Sequence, residues 1–532
     1  MVEHCKNCNQ VFEVDFRDAE FYAKIQVSPP SLCPDCRYQR RLAVRNESSL
    51  YARKCDLCHK DVIAIYSADK PFKQFCNECF FGDKWDAKDY GRDFDFTRSF
   101  FEQFKDLQDS VPRLNTGSLN NVNSEYTNFC SDCKNCYMTI ASEKAEDCYY
   151  CKLCQTNKNC CDSDYLWDSE LCYDCTNIHN CYHCIGLVQS QNCSDCLFSY
   201  DLKSCQNCIF CYNLRNQEYS IFNKSYSKED FEKAKKELKL DTSEGYKKAF
   251  HNLRKIFLTD SIHKAADIIS CENVSGDSLS HCKNSKLCFD MQDTEECAYC
   301  AEGDAKFCLD CNNIYYKPEL SYEIMSALQM YNCKTSYYSH YSNNISYCSA
   351  CYYSSDLFGC ISLKREKFCI LNKQYSEEEY RAIIPKIIDH MKRTNEYGEF
   401  FPIKFSPFEY NETIAMEWCP ITREQALEKG YRWREKDIKE YAKPTSKDIL
   451  ACEFCGKNYR LVNQEIQFYK TMQLPTPSLC PGCRHNSRFF FKNPRKIWAQ
   501  KCSNCSAQIQ STYPPERHQK VFCEACYLKT VI

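Results

Sequence analysis

The chain has 532 residues, 46 Cys against 12 Gly, and a net charge of −3. So even a balance excludes a uniformly polybasic nucleic-acid binder. No apolar run approaches the roughly 18 residues of a membrane helix, and the opening "MVEHCKNCNQ" lacks the basic and apolar regions of a secretory leader. Dense Cys in such a long chain is expected in a reducing cytoplasm, as metal ligands or buried thiols and not as disulfides.

Residues 1–95 open with four CxxC pairs, Cys5/Cys8, Cys33/Cys36, Cys55/Cys58 and Cys76/Cys79, separated by 24, 18 and 17 residues. A CxxC turn brings two thiolates to one ion at about 2.3 Å, and two such turns complete a tetrahedral zinc site. Pairing in sequence order closes the shorter loops; cross-bracing, first pair with third and second with fourth, is the alternative. A site of four Cys has no open coordination position, which points to structure and not to catalysis. Between the second and third pairs, residues 37–54 hold six Lys/Arg and one Glu. Arg37, Arg40, Arg41 and Arg45 are candidate phosphate contacts, but Arg beside a tetrathiolate also offsets its net charge of −2.

Residues 96–123 form a helical connector. Phe100, Phe101, Phe104 and Leu107 share one face of a helix within 97–112 that ends before Pro112, expected to dock the first module onto a solenoid. In block 124–225, Cys136, Cys148, Cys160, Cys172, Cys184, Cys196 and Cys208 recur every twelve residues, with further Cys three residues away. A fixed short period marks a solenoid. Twelve residues at about 3.3 Å make a coil of perimeter near 40 Å, whose inside takes only small side chains. Asn and Asp would form its corners, with Tyr and Phe outside. From 121 to 222 there are 6 Lys/Arg and 13 Asp/Glu, so the block is acidic.

A helical pair is expected over 226–267, opened by Ser227 with Asp230 as a capping box. A looser Cys-rich block occupies 268–374, with Cys288, Cys300, Cys348 and Cys360 on one twelve-residue grid. Both blocks close alike: Cys211/Cys360, Leu214/Leu363, Asn223/Asn372, Lys224/Lys373, Tyr226/Tyr375 and Ser227/Ser376 match at an offset of 149. The 29 Cys of the two blocks read first as an inert packed ladder, with extra zinc sites or Fe–S clusters as the alternatives; "CSDCKNC" (130–136) lacks the C-x3-C-P continuation of a ferredoxin. Residues 375–447 give a helix over 377–394 capped by Ser376 and Glu379, an aromatic connector at 397–413, and a solitary Cys419 expected to be buried.

Residues 448–532 repeat 1–82. Cys452/Cys455, Cys480/Cys483, Cys502/Cys505 and Cys523/Cys526 each lie 447 residues after an early counterpart, and Tyr22/Tyr469, Arg37/Arg484 and Arg41/Arg488 match at the same offset. The segment 484–501 has six Lys/Arg, no acid, and interleaved Phe489, Phe490, Phe491 and Trp498. Arg484, Arg488, Lys492, Arg495, Lys496 and Trp498 are therefore candidates for single-stranded nucleic acid, cations for phosphate and aromatics for bases; the aromatics serve equally as a small module's core. The module is basic, with 12 Lys/Arg against 5 Asp/Glu.

The stretches "CKNCNQVFEVDFRDAEFYAKIQVSPPSLCPDCRYQRR" and "CEFCGKNYRLVNQEIQFYKTMQLPTPSLCPGCR" resemble the zinc-ribbon (treble-clef-like) domain of bacterial proteins. The whole chain resembles large Cys-rich zinc-ribbon proteins of uncultivated bacterial lineages. The resemblance implies metal binding and no particular task. The expected fold is mainly β with added helices (α+β, multidomain): tandem four-Cys zinc ribbons at both ends flanking a Cys-rich β-solenoid of twelve-residue repeats.

The expected protein is a non-enzymatic zinc-binding scaffold with about four Zn2+. Its partner is RNA, DNA or a ribonucleoprotein at the basic aromatic segments, or another protein, with no membrane and no small-molecule substrate. P-loop, H-E-x-x-H, G-x-S-x-G and G-x-G-x-x-G motifs are all missing. The alternatives are a metal-storing or Fe–S/thiol redox protein using the ladder Cys, and a structural spacer binding protein partners.

Overall fold

Along the first Cys-rich block the backbone turns left-handed at almost every third residue, as at Asp132 (φ 54°), Asn135 (53°), Asp147 (51°), Asn159 (50°) and Asp174 (55°). Each such corner is followed by an inward residue and then by one that pairs, parallel, with its equivalent twelve positions on: Ser131 with Glu143, Lys134 with Glu146, Tyr137 with Tyr149, Ile140 with Lys152. Longer strands keep that register, Asp164–Trp167 pairing with Lys152–Gln155 on one side and Thr176–His179 on the other. Asn and Asp tolerate this conformation. Tyr150, Leu153 and Phe198 adopt it too, at 55°, 54° and 46°. Main-chain bonds to the preceding coil help hold them there: Leu153 N–H donates to Ile140 at 3.0 Å and Phe198 N–H to Ile185 at 2.7 Å.

The structure, a computed structural model, describes residues 1–303, 308–310, 312–315, 319–328, 330–442 and 449–531. It is mixed α/β, and the chain divides into two units, each discontinuous in sequence. One comprises Met1–Thr116 and Asp267–Arg434; the other comprises Gly117–Ala266 and Glu435–Ile532. Each four-pair Cys module thus shares a unit with the Cys-rich block more distant from it in sequence. The join expected at 447/448 and the ladder residue Cys311 lie outside the described residues.

The inward row Cys136 to Cys208 is buried throughout. Its thiols act as donors: Cys148 Sγ lies 3.4 Å from the Glu146 carbonyl and 3.7 Å from that of Asn157, and Cys172 repeats this with Glu170 and Cys181 at 3.4 and 3.7 Å. A thiol therefore fits the narrow interior and answers carbonyls that a methyl would leave alone. Both blocks end on an asparagine that imitates a further coil. Asn223 Oδ1 accepts from Tyr212 N–H and Nδ2 donates to Tyr212 O, each at 2.9 Å; Asn372 does the same to Ile361 at 2.7 and 2.8 Å. In the second block the spacing varies, eleven residues for Ile268 with Leu279, twelve for Gly276 with Cys288, and thirteen for Asn312 with Met325.

Helix Phe100–Ser110 packs on the second block, Phe100 lying 5.1 Å from Tyr347 and 5.5 Å from Phe358. In the other unit, helices Lys228–Glu237 and Ser243–Lys255 join the C-terminal module in covering the outward aromatics of the first block, so that Tyr173, Phe198 and Phe210 share a core with Phe257, Phe468 and Phe491. Helix Glu377–Arg393 opens on a reciprocal capping box of Ser376 and Glu379. Cys419 is half-buried, a correction to the buried position expected of it. Among the described residues no helix is long and apolar enough to cross a membrane.

Candidate metal centres

All sixteen module cysteines gather into four groups, Cys5/Cys8/Cys33/Cys36, Cys55/Cys58/Cys76/Cys79, Cys452/Cys455/Cys480/Cys483 and Cys502/Cys505/Cys523/Cys526, with the sulfurs of each within 4.8 Å of one another. Pairing is sequential, not cross-braced. Each group is built the same way. The first pair sits at the turn of a short hairpin, such as Val2–His4 with Val11–Glu13 or Trp498–Lys501 with Gln508–Ser511. The second pair starts a helix: Cys33 and Cys480 precede Pro34–Leu42 and Pro481–Phe489, where Pro at the first helical position gives up no hydrogen bond.

Sulfurs of opposing pairs stand 3.7 Å apart for Cys8–Cys33 and Cys455–Cys480, and 3.8 Å for Cys58–Cys76 and Cys505–Cys523. A tetrahedron with 2.3 Å metal–sulfur bonds has an edge of about 3.8 Å, whereas a disulfide needs about 2.05 Å. The first sulfur of every group is prepared as a thiolate. Burial pushes Cys5 up, but N–H donors from Cys33, Cys8 and Asn7 outweigh it and bring the thiol down to about 6. Cys55 falls to about 7, and Cys452 and Cys502 to about 6, in the same way. Elsewhere burial and neighbouring sulfurs push thiols up, as at Cys8, Cys76 and Cys480. Four thiolates at this spacing need a cation. Among the described residues the ladder sulfurs join none of these groups.

The candidate nucleic-acid residues require correction. Arg37, Arg40, Arg41, Arg45, Arg484 and Arg488 are buried, not presented to solvent. Arg37 lies 2.5 Å from Asp310, Arg40 lies 2.7 Å from Glu323, and Arg41 lies 3.6 and 3.9 Å from the same two acids. Arg45 pairs with Glu47 at 2.6 Å. Arg484 meets Asp162 and Glu465, both at 3.0 Å; Arg488 meets Asp164 at 2.9 Å and Asp162 at 3.2 Å. Buried charges must be paired, and these are paired within their own units. Lys492 stands 3.7 Å over the Tyr165 ring and Arg495 is half-buried. Lys496 is exposed, 5.7 Å from the half-buried Trp498.

These arginines dock each module on a block, and the docking is duplicated with it. Arg37 and Arg41, like Arg484 and Arg488, share one face of the helix that begins at the Cys pair. Of their partners in the blocks, Asp162, Asp174, Asp310 and Glu323 occupy left-handed corners, with Asp174 at 3.8 Å from Arg488, while Asp164 opens the strand Asp164–Trp167. Arg484 lies 4.7 Å over the Tyr150 ring and Arg37 5.5 Å over Tyr299. Tyr150 donates to Glu465 at 3.0 Å and Tyr299 to Asp18 at 2.8 Å. Tyr469 meets Tyr173 edge-on at 5.7 Å and Tyr22 meets Tyr322 at 5.3 Å. Asp18/Glu465 obeys the module offset of 447; Tyr150/Tyr299, Tyr173/Tyr322 and Asp174/Glu323 obey the block offset of 149. The signal was present in the sequence, in those four pairs and in a basic module beside an acidic block.

No family model matches the chain, and a search of curated proteins finds no similar sequence.

Proposed function

We propose that the protein is a zinc-clamped scaffold, in which four treble-clef-like Zn(Cys)4 sites hold the modules in shape and two β-solenoid blocks supply rigid surfaces for them. The observation that carries the metal reading is the 3.7–3.8 Å spacing of opposing sulfurs, repeated at four sites. Four thiolates prefer a soft or borderline ion in tetrahedral geometry, which is Zn2+ before Mg2+ or Ca2+. Zinc would be held by the sixteen Cys and would supply charge and cross-linking. With six arginines engaged internally, a nucleic-acid contact of the basic module falls to Lys492, Arg495, Lys496 and Trp498, and the partner of the scaffold is a protein or a nucleic acid reached at that surface. Elemental analysis with native mass measurement tests the reading. Four zinc ions per chain are expected. A chain that folds without metal, or a coloured chain carrying iron, would sink it and favour the redox alternative.

A further inference from the structure

Two arginines of the second unit differ from the docking arginines. Arg254, near the end of helix Ser243–Lys255, and Arg517, in the short turn Pro515–Arg517, both approach the ring of Phe490, at 4.7 and 5.3 Å. Arg254 also lies 5.3 Å from the Phe250 ring. Both arginines are half-buried. Among the described residues neither has a carboxylate within 4.0 Å, although Arg215, Arg484 and Arg488 in the same unit all do. Arg254 Nε is buried with no hydrogen-bond partner among those residues, and the bond from Arg517 Nη1 to the Phe490 carbonyl is long at 3.5 Å. Asp174 and Glu516 act on the two guanidiniums only from beyond ion-pair range. Burial lowers both arginines from their ordinary value, and burial together with Arg517 holds the neighbouring His263 neutral, at about 3.

Uncompensated half-buried charge is costly and calls for a counter-ion. The guanidiniums lie against the rings, and apart from the long bond of Arg517 Nη1 their N–H groups have no hydrogen-bond acceptor among the described residues. Such a rigid fork matches an oxyanion with several acceptor oxygens, phosphate above all. With two cations already against Phe490, that ring is poorly placed to stack a base, so the contact carries charge and not sequence.

We propose that Arg254 and Arg517, ordered by Phe490, form a phosphate-binding site for the phosphodiester backbone of a single-stranded nucleic acid or for free phosphate. The site goes beyond the metal reading and does not depend on the metal's identity.

The test is fluorescence anisotropy of the full chain with a labelled oligo-dT at low salt, and thermal stability in inorganic phosphate. Replacing both arginines (Arg254→Gln with Arg517→Gln) is expected to weaken oligonucleotide binding at least tenfold. It should flatten the slope of log affinity against log salt by about 1.4, two contacts at about 0.7 each, with metal content unchanged. Should that variant fail to fold, Arg517→Lys keeps charge without the fork and is still expected to weaken binding. A phosphate-dependent rise in melting temperature, present in the wild type and lost in the variant, assigns the site to free anion; oligonucleotide binding without that rise assigns it to a strand. No binding of either ligand by the wild type, unchanged affinity in the variants, or displacement by polyglutamate as effective as by unlabelled oligonucleotide would overturn the proposal.

Discussion

The two units repeat one docking scheme with different electrostatic balance. In one, a module with 12 Lys/Arg and 5 Asp/Glu (448–532) sits on a block with 6 and 13 (121–222). In the other, the module has 12 and 11 (1–82) and the block 9 and 13 (268–374). Yet each places an Arg directly after a Cys pair, and another four residues on, against acids at left-handed corners of neighbouring coils. The difference teaches that net charge is not what selects the mating: geometry at two or three corners does.

Metal loss is expected to have the largest effect. Cys480→Ser should drop one of four bound ions and, because Cys480 starts the helix carrying Arg484 and Arg488, undo the docking with it; isolated structural zinc sites are worth about 10–16 kcal/mol. Cys33→Ser is the counterpart, and native mass with a melting curve reads both. If Cys480→Ser keeps four ions, the grouping of ligands is wrong. Next come the second arginines. Arg488→Met leaves Asp162 with only Arg484 and Asp164 with only His485 beside it, a loss of about 3–5 kcal/mol by urea denaturation. Arg41→Met should cost less, because the ion pairs of Arg41 with Asp310 and Glu323 are 3.6 and 3.9 Å long against 2.9 and 3.2 Å for those of Arg488 with Asp164 and Asp162; equal losses would break the distinction between the units.

The corner acids make a smaller, pH-dependent test. Burial pushes Asp174 up to about 6, although Arg488 opposes it. Between the ordinary carboxylate range and that value the folded chain binds the proton more readily than the unfolded one, so this group's contribution to stability falls as pH rises through 6. Asp174→Asn should therefore stabilise the chain at pH 8, by up to about 3 kcal/mol in urea denaturation, and leave its stability unchanged at pH 4. Burial likewise raises Glu323, so its contribution to stability falls with rising pH in the same sense. The smallest effects belong to the ladder interior. A hydroxyl reaches the carbonyls that a thiol does, so Cys172→Ser and Cys348→Ser should each change stability by no more than about 1 kcal/mol. A clear difference between them would show that uneven spacing loosens the second block.

Much of this was legible from residue spacing. CxxC pairs report ligand turns because two sulfurs at that separation can reach one ion, and the unbroken interval from Cys136 to Cys208 reports a stacking period. Asn and Asp beside those Cys mark corners that few other residues accept. The corners at Leu153 and Phe198 were hidden, since neighbouring coils and not side-chain preference impose them. The arginines read as surface groups because nothing local distinguishes a buried cation from an exposed one; Arg37 and Asp310 are 273 residues apart, and Arg484 and Asp162 are 322 apart. Arg254 and Arg517 carry no sequence signal at all, being far apart in the chain and brought together at Phe490 by folding.

That separation sets an order of events during synthesis. At about 5–20 residues per second, on the order of 14–55 seconds separate the synthesis of Arg37 from that of Asp310, 273 residues later, and through that interval the first module holds Arg37, Arg40 and Arg41 without their acids. For the second module the wait is reversed, with Asp162 and Asp174 standing ready on a finished block until the last part of the chain appears. One duplicated interface is thus assembled twice in opposite directions, cation first and then anion first. The nascent chain passes through an interval in which its N-terminal module is a soft target for any polyanion nearby.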